Sequence, residues 1–146
     1  MSTKHALVNG EAKYVRLFIR RKQLGTTVEL SERLLKAGIP ASSADLSVSR
    51  KSQVCVTDHS LHSKANEEYA PSWSALKLLG MLPTGIKAHG TTYVIVISMS
   101  CNGAVRTYSF TYINDEGQIL ADTTGTFFDA IVELIEKITH FFLNTK

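Results

Sequence analysis

This 146-residue sequence is poor in the residues that mark specialised protein classes, with two cysteines, three prolines and one tryptophan. Two cysteines are too few for the disulfide framework of a small secreted domain. No run of about 18 apolar residues occurs, so the sequence predicts no membrane-spanning helix. It also contains no Walker loop, no Gly-x-Gly-x-x-Gly and no nucleophile elbow, so no motif predicts a nucleotide site or a catalytic serine.

The composition is that of an ordinary globular chain, with 44% apolar and 20% charged residues. Its length predicts a single domain over residues 1–146. The first residues lack the apolar core of a signal peptide, so we expect a cytoplasmic protein with both cysteines reduced. The formal charge of +3 is compatible with an acidic protein partner or a nucleic acid. We predict no cofactor and no metal ion.

Local signals predict the element order ββ-α-ββ-α-βββ-α. Asn9-Gly10 favours a type I′ hairpin whose second strand covers 13–22, although a helix over 11–24 is the alternative. Thr26 is the expected N-cap of the first helix, which ends at Gly38. Short strands follow within 46–57, then a mobile loop over 57–71.

The second half of the chain has the clearer pattern. Ser72 is expected to cap a helix that reaches Leu82. An antiparallel meander then follows, and its predicted strands are Tyr93–Met99, Val105–Ile113 and Gln118–Ala121. Thr126 precedes a final helix from Phe127 to about Leu143. Because the strands come in hairpins, we predict an α+β fold whose antiparallel sheet has helices mainly on one face.

The final helix has a wider apolar arc than one sheet requires. Another element of the same chain, such as the 72–82 helix, could cover the excess. A second subunit could also cover it, since exposed apolar patches of that kind are unusual on monomers. The second alternative predicts a homodimer interface formed by Phe127, Phe128, Ile131, Ile135 and Phe142.

Basic and aromatic side chains alternate along the 13–22 strand, and those on one face are Tyr14, Arg16, Phe18, Arg20 and Lys22. Such a face can bind an acidic protein, or it can stack the bases and hold the phosphates of a single-stranded nucleic acid. Arg50 and Lys51 would extend the surface if the 46–57 strands lie beside it. Trp73 is a further candidate contact, because tryptophan is enriched in interface hot spots.

The segment 55–62 is the best chemical candidate. Cys55, His59 and His62 have a spacing that would place them on one helix face, as metal ligation requires, and Asp58 adjoins them. Cys55 nevertheless follows a strand pattern, so a solvated loop is the main expectation. An enzyme or metal site here is the remote alternative.

These observations favour a small, non-enzymatic protein-interaction module of the inhibitor or adaptor type. It would act by presenting a surface, with a homodimer through the final helix as one form. The alternative is a single-stranded nucleic-acid-binding protein that uses the basic strand.

Overall fold

The computed structural model describes residues 23–58, 60–63 and 68–145 of the chain. The predicted hairpin at Asn9-Gly10 and the 13–22 strand, with Tyr14, Arg16, Phe18, Arg20 and Lys22, lie outside these residues. The helices within the described ranges are Val28–Lys36 (α1), Ala75–Met81 (α2) and Phe127–Thr145 (α3). The strands there are Leu46–Ser49 (β1), Cys55–Val56 (β2), Tyr69–Ser72 (β3), Gly85–Ala88 (β4), Thr91–Asn102 (β5), Val105–Ile113 (β6) and Ile119–Gly125 (β7).

The predicted α+β class is confirmed. The strands form two antiparallel sheets rather than the single sheet expected from the sequence: one has the order β2-β1-β3 and the other β4-β5-β6-β7. Two strands were not predicted. β3 begins inside the range expected to be a mobile loop, and β4 follows α2 directly.

α1 begins one residue later than predicted. Its N-cap is Thr27, whose hydroxyl accepts a hydrogen bond from the backbone N–H of Leu30 at 3.3 Å. Thr26 is fully buried instead, and its hydroxyl oxygen accepts the backbone N–H of Trp73 at 3.1 Å. The same hydroxyl lies 2.7 Å from that of Ser31. Thr26 therefore joins the start of α1 to the end of β3.

The predicted cap of the second helix is also displaced, because Ser72 belongs to β3. Its buried hydroxyl donates to the backbone carbonyl of Thr26 at 2.8 Å. Ser74 caps α2 instead: its hydroxyl accepts from the backbone N–H of Lys77 and donates to the carboxylate of Asp45. The helix is consequently only Ala75–Met81.

α3 forms the centre of the molecule. It packs on β6 and β7 on one side and on α1 on the other. At its first turn the Phe127 ring makes edge contacts with Tyr108 and Phe110 of β6, at centroid distances of 5.3 and 5.8 Å. On the α1 side the Arg33 guanidinium donates to both carboxylate oxygens of Glu136, at 2.6 and 3.0 Å, and this hydrogen bond raises the pKa of Arg33.

The covered face of the four-stranded sheet contains a buried phenol. Tyr112 of β6 is fully buried, and its hydroxyl donates to the carbonyl of Pro83 at 2.7 Å. Burial raises the pKa of Tyr112 to about 12, because the phenolate would lose its hydration. In the part of the chain that the structure describes, no helix is both long and apolar enough to cross a bilayer.

Candidate binding surface

From Phe127 to Ile138, the apolar arc of the final helix is covered by the chain itself. Ile131 and Ile135, two of the residues predicted at a homodimer interface, are 0% and 2% exposed. The four-stranded sheet and α1 enclose them, and α2 contributes less. Phe127 and Phe128 are half-buried and pack on the core. Phe142 falls in the part of α3 whose side chains lie outside the description.

This burial removes the reason for placing Ile131 and Ile135 at an interface. Of the two explanations that the sequence left open, covering by the same chain accounts for these positions. The covering helix is mainly α1 rather than the 72–82 helix.

Trp73, predicted as a partner contact, is 0% exposed. It directly follows β3 and lies in the same core as α1 and α3. Its indole N–H donates to the hydroxyl of Ser43 at 3.0 Å, so its one polar group is satisfied inside the protein. Trp73 therefore contributes to packing and is not available to a partner.

Arg50 and Lys51 are exposed, in the turn between β1 and β2. A shallow cleft of about 450 Å³ adjoins them and is also lined by Ser49, Glu68 and Tyr69. Arg50 forms an ion pair with Glu32 of α1 at 3.3 Å. The cleft thus contains charges of both signs, and whether Arg50 and Lys51 contact a partner stays a prediction.

The 55–62 segment does not bring its described candidate ligands together. Cys55 is paired with Val48, and its thiol lies 3.5 Å from the Ser72 hydroxyl on the side of the sheet that faces Thr26. The His62 ring contacts Ser47, whose side chain points to the opposite face of β1, at 2.9 Å.

Asp58 accepts hydrogen bonds from Ser60 at 2.6 and 3.0 Å, as in a local turn. His59 lies outside the described residues. No group of three or more potential metal ligands occurs in the described ranges.

A different surface stands out on the four-stranded sheet. β4 pairs with β5 only from Thr91 to Val94, whereas β6 pairs with β5 along its other side from Val94 to Asn102. We call residues 96–102, on the side away from β6, the β5 edge. None of the described strands pairs with it.

The hydrogen-bonding direction along the β5 edge follows from its last contact with β4. The backbone N–H of Ile95 donates to the carbonyl of Thr84 at 3.4 Å. In an antiparallel strand, alternate residues direct both backbone groups to the same side. The N–H and C=O groups of Ile97, Met99 and Cys101 therefore point outward. An outward row of this kind is a template for another strand.

The side chains along the β5 edge are exposed and largely apolar. Val96, Ile97 and Met99 are 49%, 47% and 52% exposed, and the thiol of Cys101 is exposed as well. There is no aspartate, glutamate, lysine or arginine from residue 88 to residue 105. The edge therefore lacks the charges and prolines that usually keep an open strand from pairing.

Sequence reasoning found the strand but not the open edge. The prediction placed Tyr93–Met99 in a sheet, yet it did not include β4. The signal for β4 was the pair His89-Gly90, whose φ angles of 52° and 76° fit the tight turn of a two-residue hairpin. A β4 of four residues beside a β5 of twelve leaves most of the longer strand without a partner.

Comparison with known proteins found no match to this chain among family models, curated proteins or solved structures.

Proposed function

We propose that this chain is a non-enzymatic protein-interaction module of the adaptor or inhibitor type, which binds an extended segment of its partner along the β5 edge. The observation that carries the proposal is the outward row of backbone groups at Ile97, Met99 and Cys101, on a stretch whose side chains are exposed. A strand added there would form a ladder with these groups.

The two faces of the β5 edge give the added strand its specificity. Val96, Ser98 and Ser100 lie on one face, and Ile97, Met99 and Cys101 lie on the other. Main-chain hydrogen bonds supply affinity in strand addition, while flanking side chains select the sequence. The preferred segment is therefore extended, uncharged, and apolar on the face that meets Ile97 and Met99.

The absence of charge on this stretch separates the proposal from the nucleic-acid alternative. Binding through neutral backbone and apolar groups depends weakly on salt, whereas phosphate binding weakens steeply as salt rises. The exposed cations at Arg50 and Lys51 lie on the other sheet, in the β1–β2 turn.

The test is an NMR titration of ¹⁵N-labelled protein with a capped seven-residue peptide of alternating threonine and valine, added in large excess. We expect the amide signals of Ile97, Met99 and Cys101 to move most. The matched variant is Met99→Pro, which removes one outward N–H. It leaves the β5–β6 ladder intact, because that N–H does not point towards β6. We expect this variant to keep its sheet signals and lose the peptide response.

Peptide-induced shifts that avoid residues 96–102, or no shifts at all, would contradict the proposal. A parallel titration with a single-stranded oligonucleotide distinguishes the alternative. Shifts centred on residues 13–22, or on Arg50 and Lys51, that vanish at high salt would favour nucleic-acid binding instead.

A further inference from the structure

We infer that the segment bound by the β5 edge is the β5 edge of a second copy of this chain, paired antiparallel about a twofold axis at Met99. This inference rests on the proposed function and names the partner. It would join the two four-stranded sheets into one continuous sheet through the order β7-β6-β5-β5-β6-β7.

The length of the β5 edge suits antiparallel pairing with the same edge of a second copy. With Met99 opposite Met99, Ile97 of each copy lies opposite Cys101 of the other, and Val96 opposite Asn102. The incoming β5 then ends at Asn102 and turns away at Gly103, next to the point where β4 begins to pair with Val94. The ladder would stop at Val96, one residue short of Ile95, because the Ile95 N–H already donates to the Thr84 carbonyl. The incoming chain must therefore turn away at Gly103, where φ is positive.

The same register satisfies every outward backbone group of the edge. Ile97, Met99 and Cys101 of one copy each meet a residue whose N–H and C=O also point outward. Each pair can exchange two hydrogen bonds, as hydrogen-bonded pairs of an antiparallel ladder do. On one face, the apolar side chains of these residues also meet their counterparts, which removes exposed apolar surface from water.

Charge also favours a second copy. A surface that pairs with itself brings identical charges together, and opposed like charges destabilise a strand pair. The run from residue 88 to residue 105 has no charged side chain, so self-pairing here incurs no such repulsion. A strongly charged partner would find no complementary group along the edge.

The β7 end of the four-stranded sheet is less suited to pairing with another strand. In β7, the Asp122 carbonyl accepts a hydrogen bond from the Lys137 ammonium of α3 at 2.9 Å, and α3 packs along this strand. Among the described strands of this sheet, β4 contains Lys87 and β7 contains Asp122, so the β5 edge is the uncharged open stretch, and twofold pairing uses it completely. A closed dimer results rather than a fibre.

The experiment is a disulfide-trapping comparison in full-length protein. Met99→Cys is made together with Cys101→Ser, and the control combines Ile119→Cys with Cys101→Ser. Met99 and Ile119 are 52% and 55% exposed, so the two new thiols are similarly accessible. Opposed residues in a hydrogen-bonded antiparallel pair lie about 5.5 Å apart between Cα atoms, within the range of a disulfide.

Under mild oxidation we expect a linked dimer from the Met99→Cys protein and little from the Ile119→Cys control. Light scattering of the unaltered chain should give twice the 16.1 kDa mass at high concentration. That mass should be insensitive to salt and should fall to the monomer value in Met99→Pro, whose NMR spectrum reports whether the fold is intact.

Three results would overturn the inference: a monomer at every concentration, a dimer that survives Met99→Pro, or equal linking of both cysteine variants. A monomer that still binds the alternating peptide at residues 96–102 would refute self-pairing and leave the proposed function standing. A monomer whose Ile97 and Met99 amides are already protected from hydrogen exchange would refute both, because another part of the same chain would then cover the edge.

Discussion

The outer side of β7 and the β5 edge, two stretches of the four-stranded sheet without a strand partner among the described residues, differ in charge and in covering. β7 contains Asp122, and the backbone carbonyl of this residue accepts a hydrogen bond from the Lys137 ammonium of α3. The β5 edge is uncharged and exposed, with outward backbone groups at alternate residues. Proteins usually prevent unwanted pairing by placing charges on open edges or by covering them. β7 has that protection and the β5 edge does not.

The difference follows from where α3 packs. The Thr123 hydroxyl of β7 donates to the carbonyl of Ala130 in α3 at 2.7 Å, so the strand and the helix are fixed to each other. From the described residues the far half of β5 receives no comparable contact, and its residues from Val96 onward are exposed. Packing of α3 therefore holds β7 against the core and leaves the β5 edge able to pair with another strand.

The largest expected effect comes from removing packing on the covered side. Ile131→Ala truncates a fully buried side chain between the sheet and α1, and such changes cost about 2–5 kcal/mol of unfolding free energy. The matched change on the open side, Met99→Ala, should cost less than about 1 kcal/mol, because half of that side chain is already exposed. Urea unfolding of both variants measures the difference. Similar losses would contradict the contrast between the two sides.

Tyr112, on the covered face of the four-stranded sheet, should make the unfolding free energy depend on pH. Tyr112→Phe removes the hydrogen bond to the Pro83 carbonyl and should cost about 1 kcal/mol at pH 7. The pKa of Tyr112 is raised to about 12, above the ordinary value near 10, so burial of the neutral phenol stabilises the fold below pH 10. That contribution is lost as the pH rises from about 10 towards 12.

Unfolding free energies measured between pH 7 and 12 check this expectation. The deficit of Tyr112→Phe should shrink across the upper part of the range, because the variant has no phenol to ionise. A constant deficit would mean that Tyr112 does not titrate with the raised pKa.

The smallest effect on stability is expected from removing the lysine contact at β7, because that lysine is exposed to solvent. Lys137→Met removes the ammonium that caps the Asp122 carbonyl, on an exposed lysine, and should change the unfolding free energy by less than about 0.5 kcal/mol. Its consequence should appear in assembly, since β7 loses a blocking contact. Light scattering should then detect species larger than the dimer at high concentration. An unchanged mass distribution would show that Asp122 and the packing of α3 suffice to protect β7.

Elements set by local signals were predictable from the sequence. The bounds of β6 match the predicted Val105–Ile113, because Asn102-Gly103 marks the turn and the strand residues favour a sheet. The start of α3 at Phe127 also agrees. The caps of α1 and α2 differ from the predicted ones because the sequence has two capping residues at each site. These are Thr26 and Thr27 for α1, and Ser72 and Ser74 for α2. Packing of Thr26 against Trp73, and pairing of Ser72 within β3, decide between them.

Features that depend on tertiary contacts were not predictable in the same way. The wide apolar arc of α3 indicates that two partners cover it, but it does not say that α1 is one of them. The uncharged run around β5 is visible in the sequence, whereas the open side of that strand depends on how short β4 is. Without the pairing pattern, the run looks like an interior strand.

The burial of Trp73 gives this chain a built-in optical probe. It is the only tryptophan, and it lies where the end of β3, α1 and the Ser43 hydroxyl meet. Its emission therefore reports on the junction between the three-stranded sheet and the helical core, far along the chain from Met99. Unfolding would shift that emission to longer wavelength as water reaches the indole, whereas pairing at the β5 edge would leave it unchanged. Tryptophan fluorescence can thus report whether each variant described above keeps its fold, independently of whether it associates.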